Sequence, residues 1–271
     1  MYYFMSDIHG NSKAYFAMKK YIEFSENDEL YILGDIFDGN TGCPGECLKI
    51  LDDIMENDNI TLILGEHEYF HAMHYLEKND YRASSKYKNQ LSKWSFGGKV
   101  LMEYLESLTE ETYQKYMQYL LGCEVSKVLK IGQRYFYLVH GAPVLCNKEK
   151  IEEWQEKVVV SEIDVYKNYI NEVLNDPNNN CINQNNYQNV IIMCGHRDIN
   201  DMMLDDKNIK EMNAQGANEG YQKIVFHNKI MNINCGCRGD AYKAFFHPTL
   251  ACVCLDEFDD RFFVQYYSNL F

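Results

Sequence analysis

The chain has 271 residues, 46% of them hydrophobic and 24% charged. That is enough for one large domain or two small ones at about 150 residues each, and it excludes disorder, collagen and mini-protein scaffolds. Lys plus Arg number 26 against 40 Asp plus Glu, a net charge of −14, so a nucleic-acid backbone would meet repulsion over most of the surface and is not expected as the main partner.

No run of about 18 apolar residues occurs, and Met1 to Asp7 lacks the basic region and long apolar stretch of a secretory signal. A soluble, cytoplasmic protein without membrane contact is expected. In that compartment the ten cysteines read as reduced thiols serving as small buried hydrophobes.

In chain order, Tyr2 to Met5, Tyr31 to Leu33 and Thr61 to Leu64 read as buried strands, separated by helical patterns over Gly10 to Phe24 and Cys47 to Met55. Strand and helix in alternation imply parallel pairing through crossovers. Glu66 to Leu121 reads as mostly helical, ending in an apolar face of Tyr113, Tyr116, Met117, Leu120 and Leu121 with Glu110 and Glu111 near its start. Val125 to Lys130 and Tyr135 to Val139 flank Gly132-Gln133 as a hairpin. A helix is expected over Ile151 to Leu174, then an exposed Asn-rich loop over Asp176 to Asn189 and a strand over Val190 to Met193. Two more hairpins follow, Ile224 to Phe226 with Ile230 to Ile233, and Ala251 to Leu255 with Phe262 to Tyr266. Without an internal repeat or a linker, a single domain over 1–271 is expected, with a mostly helical insertion at about 69–122.

Five strand ends carry the chemistry. They read Asp7-Ile8-His9-Gly10-Asn11, Gly34-Asp35-Ile36-Phe37-Asp38, Gly65-Glu66-His67-Glu68, Val139-His140-Gly141 and Cys194-Gly195-His196. Open α/β sheets place their sites at such C-terminal strand ends. A lone Asp or His after a strand is ordinarily a turn residue or a helix cap, but five in register form a set. Glycine beside each allows the backbone to approach a bound ion closely. Imidazole and carboxylate donors without paired thiolates suit Mn, Fe or Zn better than a closed structural zinc site.

The ordered motifs Asp-x-His, Gly-Asp-x-x-Asp, Gly-x-His-Glu, His-Gly and Gly-His resemble those of the calcineurin-like metallophosphoesterases over roughly the whole chain. Within that superfamily the likeness is to bacterial serine/threonine phosphoprotein phosphatases, through Glu68-Tyr69 and through Trp94-Ser95-Phe96-Gly97-Gly98, which is similar to their Trp-x-Asn-Gly-Gly element. The resemblance implies an α/β (α+β) sandwich of two mixed β-sheets flanked by helices. It also implies a dinuclear centre in which Asp7 and His9 hold one metal, Asp35 bridges both, and Glu66, His140 and His196 hold the second. His67 would be the general acid, oriented by Asp38. Two divalent or transition-metal ions, Mn above all in vitro, would share a water whose lowered pKa yields a bridging hydroxide for in-line attack on phosphate.

Two positions depart from the family pattern. Glu66 stands where a neutral Asn ligand is usual, and Asp38-Gly39-Asn40 replaces Asp-Arg-Gly, so the phosphate-gripping Arg is missing. Two divalent ions against Asp7, Asp35 and hydroxide leave one net positive charge, and Glu66 cancels it. Among the five arginines, Arg197 and Arg238 are the candidates for replacing that grip, beside His196 and in Cys235-Gly236-Cys237-Arg238-Gly239. Cys235, Cys237, Cys252 and Cys254 form two Cys-x-Cys pairs whose period of two fits an inward core face better than zinc. His71 and His74, one turn beyond His67, have two places open to them, the cleft wall and the helix surface, the second being the commoner for such histidines.

The expected function is therefore hydrolysis of a phosphoric monoester, on phosphoserine or phosphothreonine in a protein or on a small phosphoester. Two alternatives keep the same residues: cleavage of a dinucleoside polyphosphate or cyclic nucleotide, and a catalytically weak metal-binding interaction protein.

Overall fold

The computed structural model describes residues 1–38, 44–79, 85–93, 97–141, 190–196, 225–227, 230–234, 237, 249–256 and 262–268. Strands β1 (Tyr2–Met5), β2 (Glu29–Leu33) and β3 (Ile60–Ile63) are parallel, with Phe4 opposite Tyr31 and Ile32 opposite Leu62. Helices α1 (Ser12–Tyr21) and α2 (Pro44–Glu56) are the crossovers. Asn11 starts α1 by accepting a hydrogen bond from the Ala14 amide at 3.1 Å, satisfying one of the amides a helix start leaves bare.

Four helices separate β3 from β4: α3 (Glu66–Asn79), α4 (Lys86–Lys93), α5 (Gly98–Ser107) and α6 (Glu110–Gly122). Gly97 precedes α5 at φ 97°, a conformation that glycine adopts without steric cost. Thr109 caps α6, and Tyr113, Tyr116, Met117 and Leu120 form its buried face. Leu121, expected on that face, is 40% exposed, because one further residue turns it about 100° around the axis.

Among the described residues, the remaining strands are β4 (Ser126–Ile131), β5 (Arg134–Val139), β6 (Val190–Cys194), β7 (Val225–His227), β8 (Ile230–Asn232), β9 (Thr249–Leu255) and β10 (Phe262–Ser268). The three anticipated hairpins are present as antiparallel pairs β4/β5, β7/β8 and β9/β10. One sheet has the order β10-β9-β1-β2-β3 and the other β4-β5-β6-β8-β7. Each mixes parallel and antiparallel pairing, so the architecture is a two-sheet α/β fold with helices on its outside. The helix expected over Ile151 to Leu174 and the Asn-rich loop over Asp176 to Asn189 lie outside the described residues.

Alternation along the strands explains the layering. Phe4, Tyr31, Leu33 and Ile63 meet Phe136, Leu138, Met193 and Met231 of the second sheet in an inner core, joined by Val253 and Leu255 of β9. The intervening residues Tyr3, Met5, Leu30, Ile32, Leu62, Cys252 and Cys254 pack with the helices. With both faces covered, these strands read as continuous apolar runs. Phe4 stacks on Tyr31 at 5.5 Å and meets Phe136 across the sheets at 6.3 Å. Burial of each such ring is worth roughly 1.5–3 kcal/mol.

Candidate metal centre

Parallel pairing brings the ends of β1, β2 and β3 together, and β5 and β6 do the same in the other sheet. The ladder continues past the strand ends: the Asp7 amide donates to the Gly34 carbonyl at 3.0 Å, His9 to Asp35 at 2.8 Å and Gly10 to Ile36 at 2.8 Å. Among the described residues, six non-glycines have positive φ, and five are Asp7, His9, Asp35, Asp38 and His196. Such conformations cost on the order of 1–3 kcal/mol each and persist where surrounding bonds enforce them.

Glycines make the close approach possible. A Cβ on Gly65 would lie 2.3 Å from the Asp35 amide nitrogen, and one on Gly195 would lie 1.9 Å from Ser6 Oγ.

Among the described residues, two groups of donor atoms converge, each within 4.8 Å: His9, Asp35 and His67, and Asp35, His140 and His196. Asp35 belongs to both. His140 Nε2 lies 3.2 Å from Asp35 Oδ2 and 3.2 Å from His196 Nδ1. Glu66 borders the second group, its Oε1 3.7 Å from His196 Nδ1 and 3.8 Å from His67 Nε2. The carboxylate faces this centre instead of turning away as a simple helix cap.

Asp7 falls outside both groups. Its Oδ1 lies 3.9 Å from His9 Nε2. The Ser6 hydroxyl, the His196 amide and Asn234 Nδ2 all donate to the carboxylate. The sequence pattern does not reveal these competitors.

The imidazoles are aimed by backbone carbonyls. His9 Nδ1 donates to Phe37 at 3.1 Å and Asp38 at 3.0 Å, and His140 Nδ1 donates to Leu33 at 2.7 Å. Each therefore turns Nε2 toward the carboxylates, the arrangement by which outer hydrogen bonds set ligand tautomers in metal sites. His67 differs, because its Nδ1 lies 3.0 Å from Asp38 Oδ2.

Electrostatics matches this crowding. Burial raises Asp7 to about 7, partly offset by His140. Burial also opposes ionisation of Asp35, yet His140 and His67 hold it well below the usual carboxylate range. Burial likewise opposes the charge on His67 and His140, but Asp35 and their other acidic neighbours raise them to about 9 and about 10. Protons thus balance buried carboxylates that divalent cations would balance more completely. The donor set of oxygen and imidazole nitrogen fits Mn, Fe or Zn, and neither group includes a cysteine.

Residues 2–200 match the family model of the calcineurin-like phosphoesterases. The chain belongs to this family. It is similar in fold to a hypothetical protein from Pyrococcus horikoshii OT3, with 18% identity and TM-score 0.51 over 99% of this chain and 88% of the other. It is also similar to a protein serine/threonine phosphatase from Saccharomyces cerevisiae, with 12% identity and TM-score 0.52 over 99% and 80%. A third likeness is to a protein provisionally assigned as a diadenosine tetraphosphatase, with 12% identity and TM-score 0.52 over 98% and 92%. No curated protein matches.

As a calcineurin-like phosphoesterase the protein is a phosphoester hydrolase, and the site contains residues that sequence reasoning missed. Glu68 is fully buried and accepts from the amides of Asp35 and Phe37 at 2.8 Å and of Gly65 at 3.1 Å. His71 and His74, which the sequence allows either in the cleft or on the helix surface, are buried at 1% and 4% exposure. His71 contacts Asp38, while His74 Nε2 meets Glu106 at 3.1 Å. Asn234 lies two residues past the end of β8, a polar residue near a strand end, the same kind of signal that marked the other five. Arg197, Arg238 and Asn40 lie outside the described residues.

Proposed function

We propose that this phosphoesterase is a dinuclear metal-dependent phosphoric monoester hydrolase acting on phosphoserine or phosphothreonine in proteins. The observation that carries the reading is Asp35, one carboxylate common to two convergent donor groups. His9 and Asp7 on one side, and His140, His196 and Glu66 on the other, complete the proposed ligand sets, with Mn the expected ion in vitro. Bound there, two divalent ions would supply a water of lowered pKa and a positive clamp for phosphate oxygens.

The protein's own groups do the rest. His67 carries a proton on Nε2 beside the centre and delivers it to the departing ester oxygen, since an alkoxide leaves poorly without one. Asp38, accepting from Nδ1, keeps the ring charged and aimed. Glu68 locks the loops bearing Asp35 and Phe37 to the start of α3. A catalytically weak binding protein would have no use for this buried acid pair. The chain is read as one unit over 1–271, and the helices of about 69–122 are read as shaping substrate access. No helix among the described residues is long and apolar enough to cross a membrane.

The test is metal analysis coupled to a hydrolysis panel of phosphopeptides, dinucleoside polyphosphates and cyclic nucleotides. About two ions per chain and preferential phosphopeptide turnover are expected, with both occupancies lowered in Asp35→Asn. Full metal content in that variant would remove the shared-carboxylate reading, and preferential cleavage of a dinucleoside polyphosphate would reassign the substrate.

A further inference from the structure

Asp38 is held by two imidazoles, and only one has been given a role. His71 lies one helical turn after His67 on α3, so the two side chains share a face. Its Nε2 is 3.1 Å from both Asp38 Oδ1 and Oδ2, while His67 Nδ1 meets Oδ2 alone at 3.0 Å. The Asp38 carboxylate is wholly buried, and His71 is 1% exposed. An ionised carboxylate only accepts, so both ring nitrogens donate.

We propose that His71 is a positioning residue for the general acid, fixing the plane of the Asp38 carboxylate so that Oδ2 stays on His67 Nδ1. The inference rests on the reading of His67 as that acid. Asp38 sits at φ 52°, and its backbone carbonyl also accepts from His9. With one hydrogen bond to one oxygen, its carboxylate is free to turn about the Cβ–Cγ bond and exchange oxygens. A donor spanning both oxygens removes that freedom. The His71 ring is itself braced edge-on against Phe37, with centroids 5.6 Å apart at 82°, and Glu68 holds the Phe37 amide. The resulting array, His71-Asp38-His67, aims Nε2 of His67 into the centre.

The test compares turnover of an alkyl phosphomonoester with that of an activated aryl phosphate, whose leaving group needs no proton. His71→Leu removes the donor, His71→Asn places an amide short of Asp38, and His71→Gln places one near the position of Nε2. The alkyl-to-aryl ratio should fall at least 10-fold in the Leu and Asn variants and stay within about 3-fold of wild type in Gln, with metal content unchanged in all three. Should the Leu variant fail to fold, the Asn and Gln pair decides alone.

A second readout is the imidazole NMR of the zinc-loaded protein. The hydrogen-bonded Nδ1 proton of His67 should be protected in wild type and Gln and exchange-broadened in Asn. Equal losses on both substrates, or an unchanged ratio in every His71 variant, would overturn the proposal. His67→Ala in the same assay separates the two readings: if it leaves the ratio unchanged, the acid assignment itself fails.

Discussion

His67 and Glu66 are neighbours at the start of α3, yet they carry opposite expectations. His67→Ala should retain the metals and slow alkyl phosphate hydrolysis by roughly two to four orders of magnitude, while aryl phosphate turnover falls much less. Steady-state kinetics on both esters checks this. Glu66 places a negative charge 3.7 Å from His196 where the family pattern has a neutral ligand. Glu66→Asn should restore a net positive centre and tighten inhibition by inorganic phosphate several-fold, provided Mn is saturating. Unchanged or weaker inhibition at equal metal occupancy would sink the charge argument. At this scale the strand-end pattern singled out His9, Asp35, His67, His140 and His196, whose donor atoms the structure brings together. The sequence was not legible where the decisive fact was a competing bond, as with Asp7, whose carboxylate is engaged by Ser6, His196 and Asn234. Helical spacing leaves His71 open between cleft and surface, because it reports a shared face but not what that face packs against.

Among the elements, α3 is the unusual one, since its first turns are buried and polar together. His67, Glu68 and His71 all face inward. Glu68 ties this helix to the loop after β2 through the Asp35 and Phe37 amides and also accepts from the Gly65 amide, and removing it leaves those buried donors bare. Glu68→Ala should therefore lose on the order of 3–5 kcal/mol of stability, read as a shift in the denaturation midpoint, and Glu68→Gln should lose less because one acceptor oxygen remains. The parallel strands and all three hairpins followed from period and turn residues, because apolar runs of three to seven residues bounded by polar clusters have few other ways to bury themselves. The Glu66 in the Gly-Glu-His-Glu segment could be read as a ligand, but the bracing role of Glu68 depends on backbone geometry that residue types alone do not specify.

For the whole molecule, the centre lies at a seam between sheets, with His9, Asp35 and His67 from one and His140 and His196 from the other. Chelation should thus act on stability as well as turnover, and pH sets the size of the effect. In the metal-free protein, His67 and His140 are raised to about 9 and about 10, above the ordinary value near 6.5. A raised folded-state pKa means that the folded protein holds more protons. Their contribution is full below about 6.5 and is lost as pH rises through 9 and 10. Asp35, held low by these histidines, contributes in the opposite sense and loses its share only as pH falls into the acid range. The thermal midpoint after EDTA treatment should therefore decline between pH 7 and 10, and the metal-loaded protein should decline less. Parallel declines would mean that cations do not take the place of those protons.

The position of β1 has a consequence in time. It lies inside its sheet, between β2 and β9, and Tyr2 pairs with Leu255. Pairing so distant in sequence makes folding slow relative to local helix formation. During synthesis β1 can join β2 and β3 early, but its other edge stays open until β9 emerges, an interval in which a nascent chain is exposed to edge-to-edge association. A cation captured before β5 and β6 emerge would meet the His9, Asp35 and His67 group alone. Its partners His140 and His196 arrive with the second sheet, so the assembled pair of donor groups is a late product of the chain's maturation.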